Sequence, residues 1–165
     1  TTLEMLGTAR GPVTGPAQYR ANVGRLPGGT LVKVDSTYPG YTAMVLTDGR
    51  VNPADADWSK VAWASGEGGA HWVELRFPQP VAVKRLRLWW AKDNGVLHVS
   101  RKVVVERQEG GAWKTIEGQQ TRREGEATVV DLPDSPVAAL RLVQPDGGGS
   151  PERPGLLWLS ELEVE

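Results

Sequence analysis

Hydrophobic and polar positions alternate in short runs along this chain, and turn residues cut the runs apart. In His71-Trp72-Val73-Glu74-Leu75-Arg76-Phe77, the residues His71, Val73, Leu75 and Phe77 share one face, and Trp72, Glu74 and Arg76 share the other. A period of two marks a half-buried strand. After Pro78-Gln79-Pro80, read as a turn, Val81 to Trp90 continues the pattern, with Leu86, Leu88 and Trp90 opposite Arg85, Arg87 and Trp89. The stretch 99–107 is β-branched at its centre, and Gly110-Gly111 turns it into Ala112–Ile116, a hairpin partner. Leu31–Val34, Ala127–Leu132, Val137–Val143 and Leu156–Val164 complete the set. The total is about eight strands, spaced as in an all-β sandwich. No helix-period stretch of about ten or more residues survives between the 20 Gly and 12 Pro.

The 165 residues suffice for one domain with its own core. Residues 1–21 hold three Gly and two Pro with little periodicity and read as a linker or the tail of a preceding module, leaving 22–165 as the folded domain. The chain opens on Thr1 without Met or an apolar leader, so it reads as a piece of a longer protein. Charge is balanced, 19 Lys+Arg against 20 Asp+Glu, and the basic residues form no run, which argues against a nucleic-acid partner and against an anionic membrane. No cysteine is present, so disulfides, thiolate catalysis and cysteine zinc sites are excluded. Two His and the lack of Gly-x-Ser-x-Gly or His-Glu-x-x-His leave nothing that marks an enzyme. The anomaly is aromatic: seven Trp, three Tyr and one Phe. Such an excess suits either a sugar-stacking surface or a tryptophan-packed core.

Six segments in order carry a resemblance: Ser36 to Ala43, Leu46-Thr47-Asp48-Gly49, Trp63-Ala64-Ser65 with His71 to Leu75, Val83 to Trp90, the hairpin ending in Gly111-Ala112-Trp113, and Leu159 to Val164. Together they resemble the discoidin, or coagulation factor 5/8 type C, family, whose bacterial members include the family 32 carbohydrate-binding modules. The resemblance spans about residues 22–165 and implies a galactose-binding-like jelly-roll β-sandwich. Its ligands include sugars, phospholipids and proteins, so it constrains function less than fold. It implies a module of a larger bacterial protein such as a glycoside hydrolase, acting outside the cell, at its surface or in the periplasm. A glycan and the other domains of the same chain would be its partners.

The family's structural calcium maps onto Ala43 (carbonyl), Asp48 and Glu161. A hard cation needs six to eight oxygens, and the loop Arg50 to Asp57, longer than the usual family loop, offers more in Asn52, Asp55 and Asp57; Asp55 is taken as a fourth ligand. The plainer reading is a turn capped by Asp48 with solvated aspartates behind it. The family's sugar site lies on loops at one end of the sandwich. Here the loops Tyr38 to Tyr41, Ser65 to Ala70 and Trp90 to Gly95 are candidates, with Tyr38, Tyr41, Trp90, Lys92, Asp93, Asn94 and His98 as ligand-binding residues. Alternation sends one of Trp89 and Trp90 inward without saying which. Two departures from the galactose-binding pattern stand out: Lys92 where those members carry Arg, and Val61-Ala62 where they carry His. A bidentate Arg is not replaced by Lys without loss of geometry. Trp63 and Trp113 are expected in the core, Trp72 and Trp158 in core or inter-sheet packing, Trp58 exposed in the long loop, and His71 buried and hydrogen-bonded. The competing reading is a structural or protein-interaction sandwich that binds no sugar. Phospholipid binding ranks last, because the loops offer one Lys and no apolar spike.

Overall fold

The computed structural model describes residues 12–165. Thirteen strands, all paired antiparallel, build two packed sheets and a small hairpin. In chain order they are β1 (Ala17–Ala21), β2 (Thr30–Val34), β3 (Trp63–Ala64), β4 (His71–Ala82), β5 (Arg85–Trp90), β6 (Lys92–Asp93) and β7 (Val96–Leu97). Then follow β8 (Val104–Glu109), β9 (Ala112–Thr115), β10 (Gln120–Glu124), β11 (Ala127–Asp131), β12 (Pro136–Gln144) and β13 (Trp158–Val164). The six-stranded sheet runs β1-β2-β4-β12-β8-β9 and the five-stranded sheet β10-β11-β5-β13-β3. The expected all-β sandwich is the observed one.

Alternation works as read in β4 and β5. His71, Val73, Leu75 and Phe77 are buried and the residues between them half-buried, and the same holds for Leu86, Leu88 and Trp90 against Arg85, Arg87 and Trp89. The two inner faces meet in one core that includes Val32, Leu75, Leu88, Leu140, Leu142 and Leu162. Two indoles sit in it with their N–H groups satisfied: Trp63 donates to Thr37 Oγ1 at 3.1 Å and Trp90 to Thr128 Oγ1 at 2.7 Å.

Four expectations about the chain need correcting. The Pro78-Gln79-Pro80 segment lies inside β4 and is not a turn between strands. Register with β12 jumps from Arg76↔Ala139 to Val81↔Val137, so the prolines fall in a bulge where no ladder donor is required. The span 99–107 starts pairing only at Val104. The boundary at residue 22 is too late, because β1 pairs residue for residue with β2 from Ala17↔Val34 to Ala21↔Thr30; the remainder of the proposed linker, residues 1–11, lies outside the described residues. Trp113 is not in the core. It lies on edge strand β9, where the Arg141 guanidinium is held between its ring (4.3 Å) and that of Trp72 (4.2 Å) on the outer face of the six-stranded sheet.

The opposite outer face is closed by charge. Arg85, Asp131, Arg122, Glu124, Arg87 and Glu165 form a ring of alternating ion pairs across β5, β10, β11 and the C-terminus. Trp89 joins this face, donating to Glu163 at 2.9 Å. The outer face of each sheet thus carries its own paired side chains.

Candidate functional site

The loops after β2, before β3, after β5 and before β13 surround a cavity of about 660 Å³. Four aromatic side chains line it: Tyr38, Tyr41, Trp58 and Trp158. Tyr41 is their hub, with ring centres 6.0 Å from Tyr38, 4.6 Å from Trp58 and 6.4 Å from Trp158. Beneath them a small apolar cluster of Ala62, Ala64, Ala91, Leu156 and Trp158, separate from the main core, supports the rings. Trp58 passes over Gly40, where a Cβ would lie 2.9 Å from the indole, and the backbone there has φ +85; both facts demand glycine.

Polar groups stand beside the rings. Lys92, Asp93, Asp55, Asn52 and Arg153 line the same cavity. Lys92 pairs with Glu126 at 3.0 Å, and Arg153 makes a two-pronged contact with Glu67 at 3.0 and 3.2 Å while lying over Tyr38 and Trp158. Asn52 fixes one wall to another: its side-chain amide donates to the Trp90 carbonyl at 3.0 Å, its Oδ1 accepts from Lys92 N at 3.3 Å, and its backbone N–H donates to Ser160 Oγ at 2.7 Å. Apolar ring faces next to several donors and acceptors form a surface that can hold a polyhydroxylated ring.

The structure brings Tyr38, Tyr41, Lys92 and Asp93 together around this cavity. Trp90 does not join them. It is fully buried in the core, because the inward face of β5 ends on it, and Trp89 points to the charged outer face; neither serves the site. Asn94 is a turn residue: β6 and β7 form a hairpin around Asn94 (φ 50) and Gly95 (φ 75), a left-handed pair that Asn-Gly adopts readily, and Asn94 is not among the lining residues. His98 is buried behind the wall, 3.1 Å from Ser150 Oγ and 4.6 Å ring to ring from Trp158, so it supports that ring from behind. Sequence reasoning missed Trp158 as a wall, along with Arg153 and the Asn52 brace. Trp158 was masked because β13 is buried on both faces, so alternation carries no direction there. Arg153 had only its place in a Gly- and Pro-rich loop.

The proposed calcium ligands divide. Glu161 is completely buried; its Oε2 accepts from Gly49 N at 2.8 Å, and its Oε1 has no partner. Burial, with Asp48 and Glu163 nearby, pushes its carboxyl up to about 9. Asp48 adjoins it at the end of the 3-10 turn that Ala43 opens. Gly24 (φ +86) faces the same spot: a Cβ there would lie 2.7 Å from the Thr47 carbonyl oxygen and 3.3 Å from Glu161 Oε2. Carboxylates and a carbonyl converging on a glycine-lined space, with one oxygen orphaned, fit a hard cation in donor chemistry. Asp55 does not belong to this set. The 50–57 loop carries it to the cavity wall, and its Oδ1 accepts from Asp57 N at 2.9 Å. Among the described residues no cluster of three or more His, Cys, Asp or Glu is arranged to hold a metal.

The β-sandwich of this chain has the fold of the family 32 carbohydrate-binding modules. Comparison with solved structures gives a TM-score of 0.64 and 15% identity to a structure of the Streptococcus pneumoniae beta-galactosidase BgaA, over 92% of this chain and 98% of that one. The family 32 module of C. perfringens NanJ, solved with galactose, gives 0.59 and 12% over 82% and 92%. The lectin domain of lectinolysin, solved with Lewis B antigen, gives 0.60 and 18% over 87% and 95%. No protein-family model matches the sequence, and no curated relative does.

Proposed function

We propose that this chain is a non-catalytic carbohydrate-binding module, part of a larger extracellular or surface bacterial protein such as a glycoside hydrolase, and that the loop-end cavity is its glycan site. The observation that carries the reading is the convergence of Tyr38, Tyr41, Trp58 and Trp158 with Lys92, Asp93 and Arg153 around one cavity. A pyranose would lay its apolar face on a ring, with the charged groups taking its hydroxyls. Holding a tethered catalytic domain at its polymer raises local substrate concentration without chemistry in the module. Neighbours solved with galactose and with Lewis B antigen support a glycan as the ligand class. The Lys92 and Val61-Ala62 departures argue for a different sugar from those of the galactose-binding members. The structural role of calcium is part of the same proposal: Glu161, Asp48 and the Thr47 carbonyl would hold it and pin the 43–49 turn to β13.

The test is calorimetric titration with galactose-, fucose- and glucosamine-bearing oligosaccharides. We expect binding in the micromolar to millimolar range for at least one class, weakened about ten-fold by Trp58→Ala or Trp158→Ala. Absence of binding by every sugar at millimolar concentration overturns the reading in favour of a structural or protein-interaction sandwich.

A further inference from the structure

His71 is buried at the start of β4, and each of its ring nitrogens faces an oxygen that cannot donate. Nδ1 lies 2.8 Å from Asp35 Oδ2, and Nε2 lies 2.8 Å from the Gly155 carbonyl. A neutral imidazole has one N–H and one lone pair, so it would place a lone pair against one of these oxygens. Only the imidazolium satisfies both. The carboxylate is committed on every side: Asp35 Oδ1 accepts from Trp72 N and Oδ2 from Ser36 Oγ, each at 2.8 Å.

The segments that this ring joins are the walls of the candidate site. Asp35 and Ser36 begin the segment that carries Tyr38 and Tyr41, and Ser36 Oγ accepts from Gly66 N at 2.9 Å. The Gly155 carbonyl also accepts from Gly68 N at 3.0 Å, and Gly155 packs so closely on Gly68 that a Cβ would lie 2.6 Å from its nitrogen. Two residues before Gly155 stands Arg153, paired with Glu67; three after it stands Trp158. The segments 34–41, 65–70 and 145–157 therefore meet at one buried ring.

We propose that His71 is a positioning residue, a buried imidazolium whose two N–H groups clamp the Tyr38–Tyr41 segment to the Arg153–Trp158 wall and hold that wall in place only while the ring is charged. Burial opposes the charge, but Asp35, the Gly155 carbonyl and Asp146 outweigh it, and the ring titrates above the ordinary imidazole range. These two aspartates, with the Glu67–Arg153 pair beside the clamp, are the charged groups that face it from the packed segments. The consequence for ligand binding rests on the glycan reading above. As pH rises through the His71 transition, one N–H is lost, the Gly155 anchor loosens, and affinity falls.

The test begins with the unliganded chain. Nitrogen-15 NMR should show both ring nitrogens of His71 protonated near neutral pH, and the Trp158 indole signal should move with the His71 midpoint. Asp35→Asn should lower that midpoint, and His71→Gln should leave the Trp158 signal flat across the range. A neutral single tautomer near neutral pH, or a Trp158 signal indifferent to the His71 midpoint, overturns the proposal. Lactose and chitotriose serve as probes of binding. Affinity for the one that binds should fall about three- to ten-fold above the midpoint, as expected for one lost charge-assisted hydrogen bond, and stay flat in His71→Gln; a wild-type affinity that ignores the midpoint counts against the clamp. Failure of both sugars at every pH counts against the glycan reading alone, because the ring-nitrogen and Trp158 signals decide the clamp.

Discussion

Two carboxylates, Asp35 just after β2 and Glu161 within β13, are withdrawn from solvent and treated in opposite ways. Asp35 receives three donors, Trp72 N, Ser36 Oγ and the His71 ring, and its charge is met by a cation from the same chain. Glu161 receives one donor on Oε2, none on Oε1, and its ionisable neighbours are the acids Asp48 and Glu163. A group satisfied from within is architecture, complete once the chain folds. A buried acceptor left open beside other acids carries a cost that folding alone does not return, and under the calcium proposal a bound cation would offset it.

The sharpest way to break this contrast is to remove the satisfied acid. Asp35→Ala strands a buried imidazolium and unties Ser36 from Trp72, so a loss of about 3 kcal/mol is expected in urea unfolding, in line with breaking one partner of a buried pair. A loss below about 1 kcal/mol would place Asp35 with ordinary surface acids. At Glu161 the sign should reverse. In chelator, Glu161→Gln replaces a buried carboxyl that must hold a proton well above its ordinary range by a neutral amide of the same shape, so the variant should match or exceed the wild type by about 1 kcal/mol. Calcium should then raise the melting temperature of the wild type and leave Glu161→Gln where it was. A wild type indifferent to calcium would end the calcium reading and leave Glu161 as an unexplained strain.

How much of this could be read in the chain depends on how local each fact is. Strands β4 and β5 were legible because one buried face imposes a period of two, and that same period, carried to its end, sends Trp90 inward. Strand β1 was not, because Gly and Pro around it hide five residues whose only claim to be a strand is their pairing with β2. That Tyr38, Tyr41, Lys92 and Asp93 line one cavity was legible because loop aromatics and charges announce themselves. Asn94 was misread although Asn-Gly is a strong hairpin signal, since its amide drew attention as a ligand donor. Asp55 was assigned to the wrong acids because a loop's direction is not written in its composition. The Asp35–His71–Gly155 clamp joins residues far apart in the chain, and only the packing of three loops reveals it. Burial of His71 was readable from its face; its two partners were not.

The finest cut at the contrast between the two acids is made by pH. His71 titrates above its ordinary value of 6.5 in the folded chain, so the folded state holds the proton more tightly than the unfolded one. By linkage its contribution is fully present below about pH 6.5 and is lost as pH rises through the folded value. The stability difference between wild type and His71→Gln, measured by urea unfolding at a series of pH values, should therefore be widest at acid pH and narrow through that window, by about 1 kcal/mol in all. Glu161→Gln in the background of both proteins should leave this narrowing unchanged, because the two centres share no partner and their effects should add. A difference that is constant with pH would mean that the folded chain holds the His71 proton no more tightly than the unfolded one, and that no cation from the same chain answers the Asp35 charge.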